Sequence, residues 1–212
     1  MKKTSRFLIL ITVVFGLSSC LTTEVELDLR RQNDLRLTLV YHMPLTLWQF
    51  GVFDDESSER AVPVSRRDAE ETAVLHDDVT LERYSLEERN EEAVITVVYH
   101  SKTPAGIAAV WGDVAGQFPD LSFETETLVL PLTPGLGDAG ADADQKQLMD
   151  EVFADQFFQV SLRLPDEVVS GEYPDIAGSE TETSSDGRTV IWRTPMAALL
   201  TAGADQLISV AW

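Results

Sequence analysis

One cysteine, Cys20, stands in the whole chain. An intramolecular disulfide is excluded, so a fold exported to an oxidising space has only core packing to hold it. Basic residues are scarce: 16 Lys and Arg face 36 Asp and Glu, a formal net charge of −20. Nucleic acid is excluded as a partner, because phosphate binding needs a basic footprint. Anionic lipid headgroups are repelled within a Debye length of about 8 Å. A cationic partner is compatible with this charge. Histidine is rarer still. His42, His76 and His100 are the three, with no HExxH or similar spacing, so no metal site is read from them. GxSxG is absent, and no serine stands in a recognisable nucleophile context. The N-terminal apolar run, Phe7 to Leu17, falls far short of the roughly 20 residues a membrane-spanning helix needs.

That short run is informative for what surrounds it. Lys2, Lys3 and Arg6 precede it, only Thr12 and Gly16 interrupt it, and small residues follow, which is the shape of a signal peptide. Together Leu17, Ser18, Ser19 and Cys20 resemble the lipobox of bacterial lipoproteins, in which the cysteine thiol is acylated and becomes the new N-terminus. The competing explanation, an ordinary signal peptide with an incidental cysteine, leaves the serines and their spacing to chance. Residues 1–19 are therefore expected to be a cleaved lipoprotein signal peptide, and residues 20–212 a single domain tethered at Cys20. One acyl chain gives marginal membrane residence at about 0.8 kcal/mol per buried methylene, whereas two or three, palmitate among them, anchor durably.

The rest of the chain alternates. Val25, Leu27 and Leu29 interleave with acidic residues, and Leu35, Leu37, Leu39 and Tyr41 resume the pattern after a polar turn, which predicts a hairpin. DVTLERYSLEERNEEAVITVVYH predicts a second hairpin reversing at Arg89 to Glu92, with a bulge where the pattern slips between Leu81 and Tyr84. Ser65 and Asp68 form a capping box for a helix through Ala73, preceded by the acidic loop FDDESSER. LTLVYHMPLTLWQFG, ITVVYHSKTPAGIAAVWG and TVIWRTPMAALLTAG each read as strand, proline and short apolar helix, with Pro44 and Pro104 suited to a first helical turn. A strand over Phe123 to Leu130, a helix from about Ala143 to Ala154 burying Leu148, Met149, Val152 and Phe153, the strand FFQVSLRLP, a hairpin arm after Asp186-Gly187 and a terminal strand QLISVAW complete the pattern. The expected fold is α+β: one antiparallel, twisted sheet of about eight strands with short helices packed on one face, and no parallel pairing.

The lipobox followed at once by a hairpin, the stretch FFQVSLRLPDEVVSGE and the later DGRTVIWR before a short helix resemble the LppM-domain bacterial lipoproteins, over most of residues 20–193. The resemblance implies an envelope lipoprotein with a mixed sheet-and-helix domain, for which binding of envelope lipids or glycolipids has been proposed. Many such proteins carry a hydrophobic C-terminal segment, whereas this chain ends at Trp212 without one. That departure leaves the acylated cysteine as the expected anchor.

Candidate chemistry is sparse. GLGDAG, residues 135–140, matches a dinucleotide fingerprint, but Asp138, Asp142 and Asp144 crowd the helix start that a pyrophosphate would occupy, so a loop is the better reading and no cofactor is expected. The same three aspartates are a weak calcium candidate, with spacing unlike an EF-hand. Glu87-Glu88 and Glu91-Glu92 lie at a reversal, where solvation is the default. Trp48, Phe50, Trp111, Phe153, Phe157, Phe158 and Trp192 are candidates to line a ligand cavity, though such residues are more often core. The functional expectation is a non-enzymatic envelope lipoprotein holding a lipid or glycolipid in an apolar cavity between sheet and helices. The alternative is an interaction lipoprotein engaging a cationic partner through its acidic surface.

Overall fold

The computed structural model describes residues 22–49, 63–115, 117, 119–132, 147, 149–151, 153–202 and 206–212. Strands β1 (Thr22–Asp28) and β2 (Leu35–Pro44) form the first hairpin, with Thr22 opposite His42 and Asp28 opposite Arg36. Helices α1 (Leu45–Gln49) and α2 (Arg66–Val74) follow, then the hairpin of β3 (Val79–Arg89) and β4 (Glu92–Ser101), then α3 (Pro104–Ala115). Next come β5 (Asp120–Ser122), β6 (Thr127–Leu132), β7 (Phe157–Arg163), β8 (Ser170–Glu172), β9 (Glu180–Thr183), β10 (Thr189–Pro195), α4 (Met196–Thr201) and β11 (Gln206–Ala211).

Local chemistry explains the local elements. The β3–β4 reversal places Asn90 at φ 48° and Glu91 at φ 68°, two left-handed residues of the kind a tight two-residue hairpin demands. The register slips between Leu81 and Arg83, as the alternation predicts. Ser65 caps α2: its side chain accepts from the Asp68 N–H at 3.1 Å, and Asp68 accepts from the Ser65 N–H at 3.3 Å. The strand-to-helix motif recurs at all three places, with Pro104 opening α3. Pro44 and Pro195 instead close the preceding strands.

The sheet departs from expectation. Seven strands run in the order β3-β4-β2-β1-β7-β10-β9, and a second sheet of four runs β5-β6-β11-β8. In the large sheet β1 and β7 are parallel, Thr23 to Asp28 lying beside Phe158 to Arg163. The expected single antiparallel sheet is therefore corrected to a mixed sheet plus a smaller antiparallel one. Hairpin periodicity reports only neighbours in sequence, and β7 returns to β1 from more than 130 positions away. The strand expected over Phe123 to Leu130 begins instead at Thr127, because Phe123 to Glu126 form the turn between β5 and β6, where Glu126 adopts φ 55°. Its polar run Glu124 to Thr127 reverses the chain, while Phe123 packs edge-on to Trp212 with ring centres 6.0 Å apart. Gln147 and Met149 to Glu151 are helical, within the helix expected over 143–154, whose other residues up to Val152 lie outside the described set, as does FDDESSER.

One continuous core joins the layers. On the inner side of the large sheet Leu35, Leu37, Leu39, Tyr41 and Met43 of β2 and Ala93, Ile95, Val97 and Tyr99 of β4 are all buried. Against them pack Ala69 and Ala73 of α2 and Ile107, Val110 and Trp111 of α3. Leu128, Leu130, Ile208 and Val210 of the small sheet belong to the same cluster. The Trp111 indole N–H donates to the Pro131 carbonyl at 3.2 Å, tying α3 to β6. No helix among the described residues is long and apolar enough to cross a membrane.

Candidate functional site: the open face of the large sheet

Because side chains alternate along a strand, burying Leu37, Leu39 and Tyr41 turns Arg36, Thr38, Val40 and His42 to the opposite face. The same logic on neighbouring strands sends out Glu24 and Glu26, Gln159, Ser161 and Arg163, and Thr189, Ile191 and Arg193. Cross-strand registers set these in rows: Arg83, Val98, Thr38, Glu26, Ser161 and Ile191 follow one another across six strands. Over the central strands they line a trough of about 550 Å³, with Thr38, Val40, Ser161 and Ile191 among its lining residues and Glu24, Glu26, Arg30, Arg83 and Arg163 supplying charge.

Ion pairs organise the charge. Arg163 Nη2 lies 2.8 Å from Glu26 Oε2. Arg30 donates to both Asp28 oxygens, Nε at 2.9 Å and Nη2 at 2.5 Å. Burial opposes ionisation of Asp28, yet the Arg30 side-chain and backbone donors, helped by Arg163, outweigh it, and the carboxyl lies below its ordinary pKa. Arg36 bridges Asp34 at 3.2 Å and Glu82 at 2.8 Å. Arg83, next to the bulge, is exposed and has no ion pair among the described residues. The trough thus offers donors and acceptors in alternation: Thr and Ser hydroxyls, the Gln159 amide, free and paired guanidinium groups, and two glutamates. Such a set suits polar, hydroxyl-rich ligands.

Each histidine ring contacts a carboxylate. His42 lies 3.5 Å from Glu24 and 3.5 Å from Glu92, His76 2.8 Å from Asp113, and His100 3.3 Å from Asp34. His42 and His100 are not brought together. His42 pairs with Val94 and His100 with Arg36, so six strand residues, about 20 Å, separate them. Among the described residues no three His, Cys, Asp or Glu side chains are placed to hold a metal ion.

A second cleft, about 280 Å³, opens at the end of the sheet where β1 begins, between Gln156-Phe157, Gly178-Glu180 and Arg193-Pro195. The Arg193 guanidinium stacks over the Phe157 ring, 3.5 Å from its centre.

The aromatic candidates fall elsewhere. Trp111 and Trp192 are buried members of the core, 2% and 1% exposed, and Trp48 and Phe158 pack against it. Phe158 meets Trp192 edge-on with centres 6.4 Å apart, and Phe153 is half-buried. Of the described members of the set only Phe157 lines either cleft. Leu17, Ser18, Ser19, Cys20, Phe50, Asp138, Asp142 and Asp144, with the rest of GLGDAG, lie outside the described residues.

Two features escape sequence reasoning. The hydroxyls of Tyr41 and Tyr99 are buried in the core, that of Tyr41 with no hydrogen-bond partner among the described residues. Burial pushes the Tyr99 phenol up to about 12, with Thr72 working against the rise, and raises that of Tyr41 further. The open face is the other, because outward polar residues in a strand look the same in sequence whether they line a trough or merely meet solvent.

Fold and open face together define a mixed α+β domain with one face of the large sheet left uncovered by the described elements. No family model and no curated protein matches the chain. Among solved structures it is similar to the NMR structure of the folded domain of the Mycobacterium tuberculosis LppM protein, at 12% identity and a TM-score of 0.45, the match covering 90% of this chain and 87% of that one.

Proposed function

We propose that the chain is an exported, acyl-anchored lipoprotein of the cell envelope whose domain is a non-enzymatic binding module for the head group of a lipid or glycolipid. In this reading residues 1–19 are removed, Cys20 carries the anchor, and the chain is a member of the LppM-domain lipoproteins. The lipobox-like Leu17 to Cys20 supports the anchor. The observation that carries the binding role is the trough on the open face, which combines unpaired donors such as Arg83 with the ion-paired Glu26 and Arg163 and an apolar floor at Val40 and Ile191. This reading seats the ligand there rather than between sheet and helices, and the packing of Tyr41, Tyr99, Ile107 and Trp111 in that interior as core supports it.

Native mass spectrometry of the detergent-released, acylated protein tests this. A bound lipid mass is expected on the wild type and its loss is expected on Ser161→Trp, which fills the trough from an outward position. A ligand-free wild type, or an adduct that persists in the variant, overturns it.

A second reading draws on the exposed carboxylates at the β3–β4 turn and along β9, where Glu180 and Glu182 are both exposed. These would engage a cationic partner electrostatically. Crosslinks in cells that vanish as ionic strength rises would favour this reading over the first.

A further inference from the structure

Only residue 21 separates Cys20 from Thr22, the first residue of β1. Two residues of extended chain reach about 7 Å. An acyl anchor at Cys20 therefore holds one particular end of the large sheet near the membrane, and the register identifies what is there. Thr22 lies opposite His42, Thr23 beside Phe158, Phe157 opposite Pro195, and Pro44 opposite Glu92. The Thr22 hydroxyl donates to Gln156 Oε1 at 2.7 Å, which ties the start of β1 to the smaller cleft. From that end β1 rises about 20 Å, at about 3.3 Å per residue, so the opposite ends of the strands, with Lys102 next to Ser101, stand clear.

We infer that the end of the sheet formed by Thr22, Gln156, Phe157, Arg193 and Pro195 rests on a zwitterionic phospholipid surface. This rests on the anchoring reading above. Among the described residues at this end, Arg89 pairs with Glu87, and His42 sits between Glu24 and Glu92. Arg193 has no carboxylate within ion-pair distance among the described residues; its guanidinium lies on the Phe157 ring, with Glu24 as its more distant electrostatic neighbour. Of the described basic groups at this end, it is the one available to a lipid phosphate. Asp155 and Glu180 line the same cleft, and Glu91 and Glu92 stand at the adjoining turn. Carboxylates around a free guanidinium complement a headgroup that carries both a phosphate and an ammonium, as in phosphatidylethanolamine. A purely anionic surface meets repulsion instead.

The anchored protein supplies its own test, since acylation consumes the sole native thiol and leaves an introduced cysteine as the only label site. Ala154→Cys, in the cleft, and Lys102→Cys, at the far end, are both exposed positions. Each is labelled with a fluorophore and placed by its own acyl chains in vesicles of phosphatidylethanolamine and phosphatidylcholine containing a headgroup spin label. The label at 154 is expected to be quenched several-fold more than that at 102, and Arg193→Gln is expected to narrow the difference. Equal quenching with the acyl mass present on Cys20 overturns the orientation alone. An intact mass without acyl chains overturns the anchor and the orientation together.

Discussion

His42 Nε2 lies 3.5 Å from Glu24 Oε1 on the open face, and the ring's Nδ1 lies the same distance from Glu92 Oε2 on the other side. The hydrogen bond to Glu24, joined by attraction to both carboxylates, outweighs burial and raises His42 above its ordinary 6.5. Glu24 moves the opposite way, below 4.5, chiefly through the same bond. Protonated His42 therefore adds stability that is complete below its unfolded pKa and is lost as pH rises through its raised folded value. Ionised Glu24 adds stability present above 4.5 and lost as pH falls through its lowered folded value. Both conditions hold at about pH 5 to 6. His42→Gln is expected to lower the urea midpoint more at about pH 5.5 than at about pH 8. An equal loss at both values contradicts the clamp.

Tyr41 presents the opposite situation, a buried hydroxyl without a partner among the described residues. A buried unsatisfied donor costs about 1–3 kcal/mol, so Tyr41→Phe is expected to stabilise the fold by about 1 kcal/mol in urea unfolding. A loss of similar size would mean that the hydroxyl is satisfied in solution.

The β3–β4 turn stores strain where Glu91 sits at φ 68°. Left-handed backbone costs a non-glycine residue about 1–2 kcal/mol, and glycine adopts it freely. Glu91→Gly is expected to raise the unfolding midpoint. The Leu45 N–H bond to the residue 91 carbonyl, 2.8 Å long, survives because it uses the backbone.

Trp192 sits on β10, one strand in from the edge of the large sheet, at 1% exposure, with Phe158 edge-on to it. Trp192→Ala leaves a cavity that neighbouring strands cannot close, and a loss of about 3–5 kcal/mol is expected from chemical denaturation. Such a loss would identify this tryptophan as core rather than as the wall of a ligand cavity, where truncation costs far less.

What could be read from the sequence was local. The two hairpins, the bulge beside Arg83, the Ser65–Asp68 box and the strand-to-helix motif at Pro104 each arise from residues within about two dozen positions of one another. The parallel pairing of β1 with β7 could not be read, because Val25 and Val160 carry no mark of their partnership; only the assembled core brings them side by side. The short β8, Ser170 to Glu172, lacks any apolar signal and exists because β11 pairs with it. The candidate site was hidden for a related reason. Thr38, Glu26, Ser161 and Ile191 come from four strands distributed along the chain, and a trough appears only once those strands are placed in order. The aromatic residues were visible, but their bulk went to the core.

Incorporation of tritiated palmitate in cells, followed on the wild type and on Cys20→Ser, tests the anchor most directly. Label is expected on the wild type, at the membrane, and none on the variant, which should be released in soluble form. An unlabelled wild type, or label that persists after residue 20 is replaced, would contradict the anchor and the membrane-facing placement of Thr22 that depends on it.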